Sequence, residues 1–135
     1  MYLLDTESCI RLLDGSGPAL ARRLRSVPPA EVALCSVVRA ELQRAARRSG
    51  RVTENLALLD RFSAPLASLP FDDRCAEEYG LLCAQADSEE SGLGPVDLMT
   101  AATARAHDAV LVTSRPAAYR RLTGLRLADW AADDA

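Results

Sequence analysis

Lysine is missing from this chain, and all 16 of its basic residues are arginine. The absence excludes a Walker phosphate loop, whose lysine must reach the phosphates, together with receiver-type phosphoacceptor domains and Schiff-base enzymes. Histidine is nearly missing too, with His107 alone. The four cysteines, Cys9, Cys35, Cys75 and Cys83, show no C-x-x-C spacing. That pattern argues against a zinc site and for reduced, packed thiols. No apolar run reaches the roughly 18 residues that a membrane span requires. The acidic start, with Asp5 and Glu7, lacks the basic region of a signal peptide, so the expected location is cytoplasmic with no membrane association. A formal charge of -3 disfavours sequence-blind duplex binding, which needs many cations facing phosphates.

What is present is a chain of 135 residues, 49% apolar, long enough to bury a core and read as one domain over residues 1–135. Tyr2-Leu3-Leu4 and Val32-Ala33-Leu34-Cys35 are short apolar runs that predict buried strands, as do Leu66 to Phe71 and Ala109 to Thr113. Leu125-Arg126-Leu127 suits a last edge strand. Between them the periodicity predicts helices from Glu7 to Leu13, from Pro18 to before Pro28, after Ser36 as a cap, from Val52 to Phe62, from Asp72 to Ala86 and from Pro95 to about His107. Strands alternating with helices imply an α/β fold with a mostly parallel sheet covered on both faces.

Three carboxylates sit in hydrophobic company: Asp5 after Leu3-Leu4, Glu41 after Val37-Val38, and Asp97 within Pro95-Val96-Asp97-Leu98. A buried carboxylate is costly unless paired, protonated or metal-bound. In a parallel sheet, ligands bind beyond the carboxyl ends of the strands, and all three acids fall near such ends. Their mutual repulsion would be resolved by a divalent cation. Arg44, Arg47, Arg48 and Arg51 follow Glu41 at spacings of three and four residues, which reads as a solvated helix stripe or as a phosphate-contacting strip. Thr113 ends the strongest strand and is placed to touch a phosphate, to steady Asp5 or to serve as a plain structural hydroxyl. Ser36 lies outside any G-x-S-x-G elbow, and His107 is explained by its place at a helix end. A haloacid-dehalogenase-type phosphatase would need a second Asp where Glu7 stands, as well as a lysine.

Taken in order, Leu3-Leu4-Asp5-Thr6, Ser36-Val37-Val38-Arg39-Ala40-Glu41-Leu42, Leu69-Pro70-Phe71-Asp72, Gly94-Pro95-Val96-Asp97-Leu98-Met99 and Leu111-Val112-Thr113 resemble the PIN-domain ribonucleases of the VapC toxin type. Tyr119, Leu122 to Leu127 and Trp130 resemble that family's closing segment. The resemblance implies a three-layer α/β/α domain with a sheet of about five strands and a Mg2+- or Mn2+-dependent endoribonuclease, the toxin of a type II pair. It further implies a VapB-type antitoxin as partner, single-stranded or loop RNA such as tRNA or rRNA as substrate, and a homodimer. Asp5, Asp97 and Glu41 would then be catalytic residues and metal ligands, and Thr113, Arg115, Arg44 and Arg48 would contact substrate. Hard oxygen donors of this kind suit Mg2+. Apolar stretches at Leu20-Ala21-Leu24 and Val52-Leu56-Leu59 offer a surface for an antitoxin helix.

Two positions depart from the family pattern. Glu7 replaces the usual Asn, and Arg115 stands where an Asp or Asn often completes the acidic set. The departures leave open a second reading, a catalytically impaired PIN-like module that acts by binding RNA or a protein. They also allow Glu7 and Arg115 to pair with each other.

Overall fold

Three leucine- and valine-rich segments that cannot stand in water set the architecture. Strands β1 (Tyr2–Leu4), β2 (Val32–Cys35) and β4 (Val110–Val112) are almost wholly buried, as expected of a parallel sheet covered on both faces. With β3 (Ala67–Leu69) and β5 (Arg126–Ala128) they form a parallel sheet in the order β3-β2-β1-β4-β5. Leu3 lies opposite Ala33 on one side and Leu111 on the other. The computed structural model describes residues 1–86 and 91–132.

Among the described residues, six helices connect the strands: α1 (Thr6–Asp14), α2 (Pro18–Arg25), α3 (Ser36–Arg47), α4 (Val52–Ser63), α5 (Asp73–Gln85) and α6 (Pro95–Ala106). They complete a three-layer α/β/α architecture. The chain leaves β1 towards β2 and β3 on one side, whereas β4 and β5 extend the sheet on the other. The direction reverses between β1 and β4, and the crevice above that point is where such sheets hold ligands.

Local chemistry sets most element ends. Gly15 closes α1 in the left-handed region at φ 77°, a conformation free of Cβ strain only for glycine. Pro95 occupies the first turn of α6, where its missing N–H costs nothing. Pro70 ends β3, because it cannot donate to the ladder, so the strand is shorter than the expected Leu66 to Phe71. Leu66 is still in a turn, its N–H donating to the Ser63 carbonyl at 3.0 Å. Ser36 is not a cap: it is the first helical residue, and Cys35 precedes it with no side-chain capping bond. The strand runs directly into α3, which leaves Ser36 no extended position from which to cap. Arg51 likewise leaves the expected arginine stripe, since α3 has ended and Arg51 pairs with Glu54 at 2.6 Å.

The core joins Leu3, Leu4, Leu34, Leu111 and Val112 to the small face of α6, where Ala101, Ala102 and Ala104 are fully buried. Alanine lets the helix axis approach closely. The buried hydroxyls of Thr100 and Thr103 bond back to the carbonyls of Val96 and Met99 at 2.8 and 2.9 Å, a local satisfaction of groups that would otherwise be unpaired. Among the described residues, no helix is long and apolar enough to cross a membrane. Because α6 also carries Asp97, its close packing fixes the position of that carboxylate. Ala102→Leu should therefore cost about 1–3 kcal/mol by overpacking, read as a lower denaturant midpoint; an unchanged midpoint would show that α6 has room to move.

Candidate active site at the sheet crossover

Asp5 follows β1 directly, and its backbone N–H still donates to the Val112 carbonyl at 3.2 Å. This bond pins Asp5 at the crevice between β1 and β4. Its Oδ1 accepts from the Ser8 N–H at 2.8 Å, capping α1. At 4% exposure the carboxyl is held above its usual pKa of 3.8, chiefly by burial; hydrogen bonds from Ser8 and Thr113 oppose the shift, and Glu7 adds to it. The donors around Asp5 thus leave part of its charge uncompensated.

Asp97 reaches the same crevice from the first turn of α6. Its Oδ2 accepts from the Gly94 N–H at 3.0 Å, tying the carboxylate to the helix start, and its position there suits the positive end of the helix. Glu41 enters from α3, half-buried, and lines one cleft with Asp5, Thr6, Glu7, Ile10, Val96, Asp97 and Arg115. The cleft has a volume of about 310 Å³. Sequence reasoning nominated Asp5, Glu41 and Asp97, and the fold brings these three together.

Arg115 is the one guanidinium lining this cleft among the described residues. Its Nη2 lies 3.2 Å from Asp97 Oδ1, and its Nε lies 3.7 Å from Glu7 Oε2. The two departures from the family pattern thus meet, with Arg115 bridging Glu7 to Asp97. Thr113 is fully buried at the end of β4; its hydroxyl accepts from the Arg115 N–H at 3.1 Å and also supports Asp5. It faces the carboxylate, which favours the steadying role over direct phosphate contact.

Arg44 and Arg48 lie beyond the cleft, exposed on the later part of α3 and at its end. Tyr119 is a residue that pattern alone did not single out for the site. It is 1% exposed, its hydroxyl has no partner among the described residues, and burial raises its pKa, with Asp97 and Asp5 adding to the effect. Ser8 is the other. Its signal was the spacing Asp5-x-x-Ser8, which places an N–H in the third helical position to face a capping carboxylate.

The donor set fits a hard divalent cation. Three carboxylates line one cleft, one is buried with its charge only partly offset, and the one cation among the lining residues is Arg115. Asp5, Glu41 and Asp97 would hold the ion, with Arg115 withdrawing from Asp97 Oδ1 to free that oxygen. A raised carboxylate pKa also sets a sign for stability. In the folded protein Asp5 keeps its proton to a higher pH than in the unfolded chain, so its ionisation opposes folding; stability falls as pH rises from 3.8 through the raised folded value and stays reduced above it. In chelator at pH 7, Asp5→Asn should therefore raise the thermal midpoint, since Asn keeps the cap; a lower midpoint would refute this account of Asp5.

The fold and the sequence match known proteins. The family model described as PIN domain matches residues 2–124. A protein of Shigella flexneri named "tRNA(fMet)-specific endonuclease VapC" is 30% identical over 129 residues, covering 96% of this chain and 97% of that protein. "Ribonuclease VapC2" of Rickettsia felis is 29% identical over 131 residues, covering 96% and 98%. Among solved structures, VapBC2 from Rickettsia felis bound to a DNA fragment from its promoter superposes with a TM-score of 0.84 at 30% identity, covering 96% of this chain and 98% of the other. With its parallel sheet, its crevice of acids and a match over nearly its whole length, the chain belongs to the PIN-domain family.

Proposed function

We propose that the cleft is the active site of a divalent-metal-dependent endoribonuclease, the toxin of a type II toxin–antitoxin pair. The observation that carries the reading is the convergence of Asp5, Glu41 and Asp97 from three different elements on one cleft at the sheet crossover. Ribonuclease or tRNA endonuclease names among relatives that match along their full length support RNA as the substrate class. Loop or single-stranded segments of tRNA or rRNA fit an open cleft, where bases can be splayed out. The four cysteines are unpaired, which suits a reducing cytoplasm.

Mg2+ or Mn2+ bound by the acids would stabilise the negative charge that builds on phosphate oxygens during hydrolysis. The chain's own groups have distinct tasks. Asp5 is held in one orientation by Ser8 and Thr113. Asp97 is held by the α6 start. Glu41, not tied to the helix starts that orient the other two, is placed to orient a water and accept its proton. Arg115 has a fork of donors suited to a scissile phosphate once released from Asp97, and exposed Arg44 and Arg48 can follow the RNA backbone.

The antitoxin reading rests on an apolar groove and on neighbours that are VapBC complexes. The groove, about 270 Å³, lies between α1, α3 and α4 and includes Ile10, Leu13, Leu42, Ala45, Leu58 and Leu59. Ile10 and Leu58 are 41% and 37% exposed, and a partner helix could bury them by its apolar face. This relocates the surface expected from sequence: Leu59 belongs to the groove, but Leu20 is 1% exposed within the core, and Leu24 lines a separate hollow with Phe62 and Leu66. Ile10 also lines the acidic cleft, so groove and cleft adjoin at this side chain and a bound antitoxin could reach both. The homodimer that the family resemblance implies is part of the same proposal.

One observation favours the binding-module alternative. Asp97 Oδ2 accepts from Gly94 and Oδ1 faces the Arg115 guanidinium, so a cation entering there competes with a charge already in place. RNA cleavage decides between the readings. With Mn2+ or Mg2+ the wild type should cut RNA, and Asp97→Asn should lose roughly 10³-fold, the equivalent of several kcal/mol of lost charge stabilisation. Equal cleavage by both proteins would remove Asp97 from the site, and no cleavage by either would favour the binding module. Arg115→Ala frees Asp97 of its competing cation and should tighten Mn2+ binding; weaker or unchanged affinity in a Mn2+ titration would mean that the guanidinium does not compete with metal.

A further inference from the structure

At the other end of α6 a second group of ligand atoms comes together. Asp72, Cys75 and His107 each offer one ligating atom, and these atoms lie within 4.8 Å of one another. Asp72 and Cys75 come from the start of α5, and His107 terminates α6. We propose that Asp72, Cys75 and His107 form a metal site for a soft divalent cation, Zn2+ by ligand chemistry, that clasps the start of α5 to the end of α6.

The donors differ in kind from those of the acidic cleft. A thiolate, an imidazole and a carboxylate select Zn2+ over Mg2+, whereas the cleft offers carboxylates and hydroxyls. The two places are also separate, since Asp97 and His107 lie about 15 Å apart along α6 at 1.5 Å per residue. Around a tetrahedral zinc, ligand atoms stand about 3.4 Å apart, given bonds of roughly 2.0–2.3 Å. Closing from the observed spacing asks for about an ångström of movement. Asp72 and His107 are exposed side chains able to make it, while Cys75 is fully buried and fixed.

The surroundings prepare each ligand. Asp72 Oδ1 accepts from the Cys75 N–H at 3.1 Å, which orients the carboxylate in the way that supporting bonds orient metal ligands and leaves Oδ2 to a metal. The Cys75 thiol makes a long contact of 3.6 Å to the Pro70 carbonyl, and Asp72 and Thr103 also reach it. Binding replaces the S–H bond with a metal–sulfur bond and releases one proton to water. Three protein ligands leave a fourth position for water. The spacing Asp72-x-x-Cys75 resembles no zinc motif by itself, because the third ligand arrives from a distant segment.

Co2+ is the probe, since it takes tetrahedral zinc sites and reports a thiolate ligand by near-ultraviolet charge-transfer absorption. Titrating the full, reduced chain should give this absorption with saturation near one equivalent. His107→Ala and Asp72→Asn, both exposed positions that the fold tolerates, should weaken binding at least tenfold, and Cys75→Ser should abolish the charge-transfer band. Asp97→Asn should leave the thiolate charge-transfer band in place. No thiolate band in the wild type would overturn the proposal, as would a band that survives both His107→Ala and Cys75→Ser. Loss of the band in Asp97→Asn would equally overturn it, by making the cation one with the acidic cleft. If Cys75→Ser fails to fold, His107→Ala alone decides: a wild-type affinity in that variant ends the proposal.

Discussion

The structure is organised around a buried carboxylate. Asp5 is buried at the end of β1, where desolvation, with Glu7 adding to it, opposes its charge, and Glu41 and Asp97 reach the same cleft from other elements. The backbone holds them there. Asp5 is fixed by the β1–β4 ladder through the Val112 carbonyl, Asp97 by the close packing of an alanine-rich helix, and Glu41 by a helix that begins where β2 ends. Apolar burial thus holds a carboxylate whose ionisation it disfavours, in a cleft shared with two others.

That constraint explains the role of Arg115. With one guanidinium between Glu7 and Asp97, the resting site is partly neutralised from within. A salt bridge as exposed as this one contributes little to stability, so its importance lies in occupancy of the site rather than in holding the fold. A guanidinium suits a phosphate as well as a carboxylate, because both are oxyanions of similar geometry.

Much of this was legible in the sequence. Asp5, Glu41 and Asp97 betrayed themselves by interrupting apolar runs, and the strand at Val110–Val112 by its uninterrupted branched residues. What sequence could not give depends on distances between segments. Ser36 looked like a cap because its residue type favours that role, but the strand entered the helix one residue earlier. Leu20 looked available to a partner because amphipathic periodicity marks an apolar face without saying what covers it; here the core does. Tyr119 and the Asp72, Cys75 and His107 group are tertiary facts, invisible until α5 and α6 are packed together.

The account stands or falls on whether the three acids share one cation. Crystals grown with Mn2+ and measured for anomalous scattering give the most direct answer. The expected result is a peak in the cleft within ligand distance of both Asp5 and Asp97, with Arg115 turned away from Asp97. An empty cleft at saturating Mn2+, with Arg115 still bound to Asp97, would contradict it.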